Sequence, residues 1–365
     1  MFISDLIFRQ SVRDQQRIIA LRITRNGITD NSRIISITLR VFAAISLSLL
    51  MGFRYGIGTD YFYSYVPSFD LVHGGGVSHY EPLFNAFIKV VAMLTDDYRW
   101  FFFIEAFIFI AVIFTAIGIL YDYFTFPIAL LLFGYHFLRA FCFMAQYLAM
   151  AFTLLAIALY IKKRYILSSA VLAIAVLNHL SSLVLLIIPL SDLLFHFKLP
   201  KLSRYLISAF PILALALSGS VVSILNKLYL GTRFSYYESS WFNNDYLDKT
   251  LIIINALFWI LGIVLLIIQN PEIENTPLDI FLVLQSIGLS LSLLQGSLPL
   301  LYRIIWFFMF PQVILLLKLL DSEKGNRLFI LILKIVIIIL FAIWMVMRPM
   351  KNNTDMVVPY VSIWG

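Results

Sequence analysis

An arginine and an aspartate with two glycines between them carry the first hint of chemistry: Arg54-Tyr55-Gly56-Ile57-Gly58-Thr59-Asp60-Tyr61. Gly56 and Gly58 permit tight backbone turns. Such turns can set Arg54 and Asp60 side by side at a membrane surface. Tyr61, Phe62, Tyr63 and Tyr65 follow, and Glu81-Pro82 closes the polar stretch. Aromatic rings there suit an interfacial belt or a platform for sugars. The plainer reading is an ordinary interfacial loop, with Arg54 meeting lipid phosphate.

Three further arginines stand out. Arg139 falls between two apolar runs, in Phe137-Leu138-Arg139-Ala140-Phe141. A lone arginine at membrane depth is costly and usually has a counter-ion. Asp122, Glu105 or a lipid pyrophosphate are candidates, and snorkelling to lipid heads is the plain alternative. Gln146, two helical turns on, extends a polar stripe from Arg139. Arg233 lies in a loop with Tyr236, Tyr237, Glu238, Trp241 and Phe242, and Arg303 opens a later apolar run. The planar guanidinium bonds two phosphate oxygens at once. Arg54, Arg139, Arg233 and Arg303 on one side of a largely uncharged protein point to an anionic ligand there.

His179, in Asn178-His179-Leu180-Ser181, interrupts an apolar region. It reads either as a buried structural histidine or as the polar break of a helix lining a cavity, with a proton-carrying or phosphate-contacting ring. No other His or Cys lies at ligand spacing, so no metal site is expected. The single cysteine, Cys142, reads as a small buried apolar residue. No Walker loop, GxSxG elbow or HExxH helix is present, which weighs against ATP-driven transport and soluble-type hydrolysis.

The elements that must hold these residues are set by composition. Of 365 residues, 61% are hydrophobic and 13% charged, with mean hydropathy +0.93. Soluble domains carry about 25% charged residues, so lipid must cover most of this surface. In lipid every backbone polar group needs an internal partner, and the apolar runs are continuous rather than alternating. The fold is therefore all-α: a polytopic membrane protein of about eleven helices.

Runs are read at 34–52, 81–94, 101–120, 126–138, 141–161, 165–197, 205–225, 251–268, 280–294, 304–320 and 328–347. The 165–197 run is too long for one span and divides at Asn178-His179. Residues 1–33 form a basic cytoplasmic leader, residues 34–347 one membrane domain with external loops 53–80 and 226–249, and 348–365 an external tail. Topology turns on 81–94, which is too short to cross about 30 Å of hydrocarbon. If it does not cross, the N-terminus and Lys162-Lys163-Arg164 lie inside, and the four arginines lie outside. The net charge of +7 follows from basic cytoplasmic loops rather than from nucleic-acid binding.

The ordered set Arg54-Tyr55-Gly56-x-Gly58-Thr59-Asp60-Tyr61, Glu81-Pro82, Arg139 heading an Ala-rich span, His179, Arg303 and Tyr360-x-Ser362 resembles the EpsG-like family of bacterial Wzy-type polysaccharide polymerases. The resemblance covers roughly residues 34 to 365. Relatives often show Arg-Gln-Ala where this chain has Arg139-Ala140-Phe141; its glutamine appears at Gln146 instead. The resemblance implies a bacterial cytoplasmic-membrane enzyme of the lipid-phosphate-dependent GT-C-type class. It would polymerise oligosaccharide repeat units carried on undecaprenyl pyrophosphate, as substrate, with no nucleotide cofactor. Partners would be the lipid-linked oligosaccharide, membrane lipid and a chain-length regulator.

Transfer from a pyrophosphate needs charge neutralisation on the leaving group, a base and a sugar site. The four arginines take the first task. Glu81 or Asp60 takes the second, with Glu81 favoured by its place at the membrane–water boundary and His179 held as a further proton carrier. Tyr61, Tyr65, Gln146, Trp241 and Tyr360 take the third. A flippase, an O-antigen ligase and a membrane O-acyltransferase compete. The flippase predicts inverted repeats that the chain lacks, the ligase a larger late loop, and the acyltransferase gains only Asn178-His179.

Overall fold

The computed structural model describes residues 26–195, 200–220, 223–224, 227, 248–268, 276–295, 301–322, 327–351, 353 and 355–364. The regular structure among these residues is helical, and among them there is no strand. Among the described residues six helices are long and apolar enough to cross a membrane: 34–52, 98–120, 144–161, 249–268, 276–293 and 330–351. The expected eleven are not all of spanning length, because several apolar runs break. The chain forms two compact units, 1–182 with 323–365, and 183–322.

In the first unit, α1 (Asn26–Gly52) leads through a π-helical turn (Tyr61–Tyr65) to α2 (Val66–His73), α3 (Pro82–Leu94) and α4 (Tyr98–Leu120). Asp97 starts α4 by accepting the Arg99 backbone N–H at 2.9 Å. Helices α1 and α4 pack antiparallel. At one end the Arg40 guanidinium donates to the Asp122 carbonyl at 2.8 Å. At the other, Gly52 lies so close to α4 that a Cβ would sit 2.6 Å from Phe103 Cα. Residues 53–97 gather at this second end, called here the loop end.

Helix α3 is shorter than the helices of spanning length. Its 13 residues rise only about 20 Å. Phe84, near its start, and Phe87 both face Phe101 at the head of α4. Near its finish the His73 ring bonds the Ala92 carbonyl at 3.3 Å. Both termini of α3 therefore lie near the head of α4.

The return from the far end runs through α5 (Thr125–Phe133) and α6 (His136–Arg139), split where Tyr135 turns into the left-handed region at φ 66°. Then α7 (Met144–Ile161) starts at the loop end and α8 (Tyr165–Asn178) packs back along it. Buried Ala145, Ala149, Ala151, Ala156 and Ala158 leave room on α7 for close neighbours. Lys162-Lys163-Arg164 form the tight turn at the far end, with Lys163 at φ 58°. Helix α8 stops at Asn178, where His179 becomes extended.

The second unit contains α9 (Ile187–Phe195), α10 (Pro200–Ala216), α11 (Lys249–Ile268), α12 (Thr276–Leu293), α13 (Leu301–Met309) and α14 (Gln312–Ser322). The expected single run 304–320 divides between α13 and α14 at Phe310-Pro311, since proline interrupts the hydrogen-bond ladder. Buried Arg204 meets Asp279 with Nε–Oδ1 at 2.6 Å and Nη2–Oδ2 at 3.1 Å, which joins α10 to α12. Asn255 donates to the Ser292 hydroxyl at 2.8 Å, joining α11 to α12. Helix α15 (Arg327–Lys351) belongs to the first unit, lies beside α5 and delivers residues 355–364 to the loop end.

Candidate functional site

The Arg54 loop is a clamp. Its guanidinium is fully buried and donates to the carbonyls of Met51, Ile57 and Phe141, the last at 3.0 Å. It lies over the rings of Phe102 at 4.9 Å and Phe141 at 5.1 Å. Burial pulls this guanidinium below its ordinary pKa, and the field of Glu105 pushes it back. Glu105 is itself fully buried on α4. The expectation that Arg54 opens to the outer surface is corrected: carbonyls at the end of α1 and before α7 take its hydrogens.

Gly58 has φ +96°, and a Cβ there would lie 2.5 Å from the Phe141 carbonyl oxygen. Only glycine lets loop 53–60 rest on the turn before α7. Gly58→Ala should therefore lower stability by roughly 2–5 kcal/mol, from left-handed backbone strain and overpacking together. Gly75 is the control: at φ +88° it has nothing within 4 Å of its Cβ position. Thermal melts in detergent should show Gly58→Ala far below Gly75→Ala, and equal melts would remove the contact from the explanation.

The tail 355–364 closes the same loop. Arg54 and Ser362 form an antiparallel bridge. Tyr55 N donates to Val361 O at 2.9 Å, Ile363 N to Phe53 O at 3.0 Å and Gly58 N to Met356 O at 3.0 Å. The Tyr360 hydroxyl donates to Leu50 O at 2.8 Å. The buried Cys142 thiol donates to Asp355 O at 2.9 Å, and burial pushes its pKa up to about 12.

That closure sets Asp355 against Arg139. Their Nε and Oδ2 are 3.8 Å apart, with the arginine side chain 1% exposed and the aspartate 12%. Arg139 sits at the end of α6, which the Gly134-Tyr135 break aims at α7. Its Cζ lies 5.2 Å from the Tyr135 ring. Arg348 of α15 brings its own Cζ to 5.3 Å from that ring. Buried His136 meets the Tyr147 hydroxyl at 3.3 Å.

Tyr65 links this cluster to the Glu81 end. Its hydroxyl accepts the Ala145 N–H at 3.4 Å, and its ring stacks on Tyr80 at 5.5 Å. The half-buried Glu81 accepts the Leu180 N–H through Oε1 at 3.2 Å, while His179 Nδ1 accepts the Ser181 N–H at 3.3 Å. Glu81 and the His179 break are thus joined, although 99 residues separate the bonded pair. An accepting Nδ1 leaves the neutral ring's proton on Nε2. The half-buried Asp60 takes the Thr59 hydroxyl at 3.3 Å, close enough to Tyr65 and Cys142 to be felt by both.

Other expected residues fall elsewhere. Tyr61 is buried and stacked on Phe102 at 4.2 Å, and Tyr65 is buried too. Neither offers an open face to a sugar. The exposed rings at the loop end instead include Tyr55, Phe62, Tyr63, Trp100, Tyr360 and Trp364. Gln146 is buried on α7. Asp122 gives its carbonyl to Arg40 rather than lying beside Arg139. Arg303 is half-buried on α13 of the second unit. Arg233 and Trp241 lie outside the described residues. Among the described residues no three His, Cys, Asp or Glu side chains gather as metal ligands would.

Asp355, Arg348 and Tyr135 were not singled out in the sequence. Only the left-handed break after Gly134 carried a local signal for Tyr135. Comparison with curated proteins finds no match, and neither does comparison with solved structures. A sequence model described as the EpsG family matches residues 37–362. That span holds the Arg54 clamp, the Arg139 cluster and the tail that joins them, and the chain is a member of the EpsG family.

Proposed function

We propose that this protein is a glycosyltransferase that polymerises polysaccharide repeat units at the outer face of the bacterial cytoplasmic membrane. The donor is a growing glycan on undecaprenyl pyrophosphate, and the acceptor is the next lipid-linked repeat unit. Membership of the EpsG family supports a role in polysaccharide biosynthesis. The observation that carries the reaction is Arg139, a buried guanidinium facing a carboxylate at the loop end of an apolar bundle.

In the reaction, an acceptor hydroxyl attacks the donor's anomeric carbon. The bond from that carbon to the pyrophosphate oxygen breaks, a glycosidic C–O bond forms, and undecaprenyl pyrophosphate leaves. Arg139 stabilises the charge that develops on the leaving oxygen. Glu81 accepts the hydroxyl proton. Asp60 shapes the loop through Thr59. The exposed aromatic rings hold the glycan by stacking.

The test is purified protein in lipid with a synthetic undecaprenyl-pyrophosphate repeat unit, its products run on a sizing gel. A ladder spaced by one repeat is expected. No ladder, with labelled lipid-linked sugar crossing the bilayer instead, would replace the reading with a flippase. Glu81→Gln should slow ladder growth by about 10²–10⁴-fold, the usual contribution of a positioned base. Full-length polymer from that variant would pass the role to Asp60.

A further inference from the structure

Glu81 stands where a helix is normally capped. It precedes α3, whose first residue is Pro82. An acidic side chain at that point ordinarily turns back onto the amides of its own first turn. Glu81 makes no such bond. Its Oε1 takes the Leu180 N–H at 3.2 Å instead, beside the His179 break. Proline pushes the residue before it toward extended angles, and Glu81 has φ −62° and ψ 158°. The aim of this carboxylate therefore depends on how the chain enters α3.

Asn85, one turn into the helix, holds that entry. Its Oδ1 accepts the Ser78 N–H at 3.1 Å and the Ser78 hydroxyl at 2.6 Å. Its Nδ2 donates to the carbonyls of Ser78 at 2.9 Å and Tyr80 at 2.7 Å. Two donors meet the oxygen and two acceptors meet the nitrogen, which fixes the orientation of the amide and fills its capacity. The Asn85 backbone N–H donates to the Glu81 carbonyl at 2.9 Å. One residue thus ties down the peptide groups on both sides of Glu81. Tyr80 is anchored in turn, with its ring on Tyr65 at 5.5 Å and its hydroxyl 2.6 Å from that of Ser64. Asparagine is a weaker helix former than alanine, so its side-chain bonds, not helix formation, explain its presence here.

We infer that Asn85 is the positioning residue of Glu81: by clasping residues 78–80 it holds the carboxylate toward Leu180. This rests on the polymerase reading for the role of Glu81 as base, whereas the clasp has a readout of its own. The bonds are local, so the clasp and α3 move as one piece, and the carboxylate keeps its place when neighbouring helices shift.

The experiment uses the full chain in lipid nanodiscs. Hydrogen exchange reads the clasp, and ladder growth on a synthetic undecaprenyl-pyrophosphate repeat unit reads the base. Asn85→Ala should lose the exchange protection of residues 78–81 and slow ladder growth by about 10–100-fold, the scale set by misplacing a reacting group by about 1 Å. Asn85→Asp matches the size of asparagine but turns an oxygen toward two carbonyls, so it should be comparably slow. A residue that acts through Glu81 has nothing left to position once the carboxylate is gone. The double variant Glu81→Gln with Asn85→Ala should therefore be no slower than Glu81→Gln alone.

Unchanged exchange, or a wild-type rate from Asn85→Ala or Asn85→Asp, overturns the inference. Losses that multiply in the double variant overturn it too, because Asn85 then acts apart from Glu81. If neither Asn85 variant folds, the residue serves stability and the positioning role falls. In each of these cases a wild-type ladder leaves the polymerase reading standing. A full rate from Glu81→Gln moves the base to Asp60 and takes this inference with it. No ladder from wild type removes the polymerase reading and the positioning role together.

Discussion

Arg139→Ala is expected to cut polymer formation by about 10²–10³-fold, the loss seen when one preorganised donor to a developing oxyanion is removed. At 1.36 kcal/mol per decade this is roughly 3–4 kcal/mol of transition-state stabilisation. Arg139→Lys should rescue little of it, because an ammonium lacks the fork that grips two phosphate oxygens. Ladder growth in lipid gives the rate, and gel filtration in detergent gives the fold. The folded yield should stay near wild type: Asp355, the partner left behind, has a 12% exposed side chain and some access to water. A full ladder from Arg139→Ala would move the leaving-group cation elsewhere, with Arg348 next in line.

Arg54→Ala should fail in a different way. Three carbonyls lose their donor at once, inside a pocket walled by Phe102 and Phe141. Hydrogen bonds to charged groups are worth about 1.5–3 kcal/mol each, and breaking a buried charged network costs roughly 3–5 kcal/mol. Against a total stability of about 5–15 kcal/mol, little folded protein should remain. Arg54→Lys keeps the charge but cannot reach three carbonyls from one nitrogen, so it too should aggregate. Monodisperse Arg54→Ala protein with no polymerase activity would mean that Arg54 touches substrate instead. The two arginines are about equally buried, yet one should cost activity and the other the fold.

That contrast bears on what the residue order could reveal. Gly56, Gly58 and Arg54 marked a special loop, and the loop is special. Periodicity, however, cannot say where a guanidinium will find its acceptors. Arg54 takes the Phe141 carbonyl from 87 residues away, so its inward aim was invisible. Tyr61 and Tyr65 read equally well as a wet aromatic belt or as core, and stacking on Phe102 and Tyr80 decides for core. The break at Asn178-His179 was legible because two polar residues interrupt an apolar run. Its partner Glu81 was noticed for its own sake, not as its neighbour. Pro311 was equally visible, and the run around it was still read as one helix. Asp355 belongs to none of the motifs read in the sequence, although Tyr360-x-Ser362 lies in the same tail, and only the fold makes it the neighbour of Arg139. Helix count was the least legible property, since a 13-residue apolar helix such as α3 looks like a short span until both its ends are placed.

The pairing of residues 53–58 with 356–363 also dictates an order of assembly. The Tyr55 and Gly58 amides and the Phe53 carbonyl find their partners about three hundred residues later in the chain. During synthesis these groups must stay hydrated at the membrane surface while every intervening helix is inserted. Contacts so distant in sequence close late and slowly. The Arg139–Asp355 pair comes together only at that closure, so a chain interrupted before residue 355 carries the helices and the loop without the ion pair. On the polymerase reading proposed above, catalytic competence would then be the last property the nascent protein acquires.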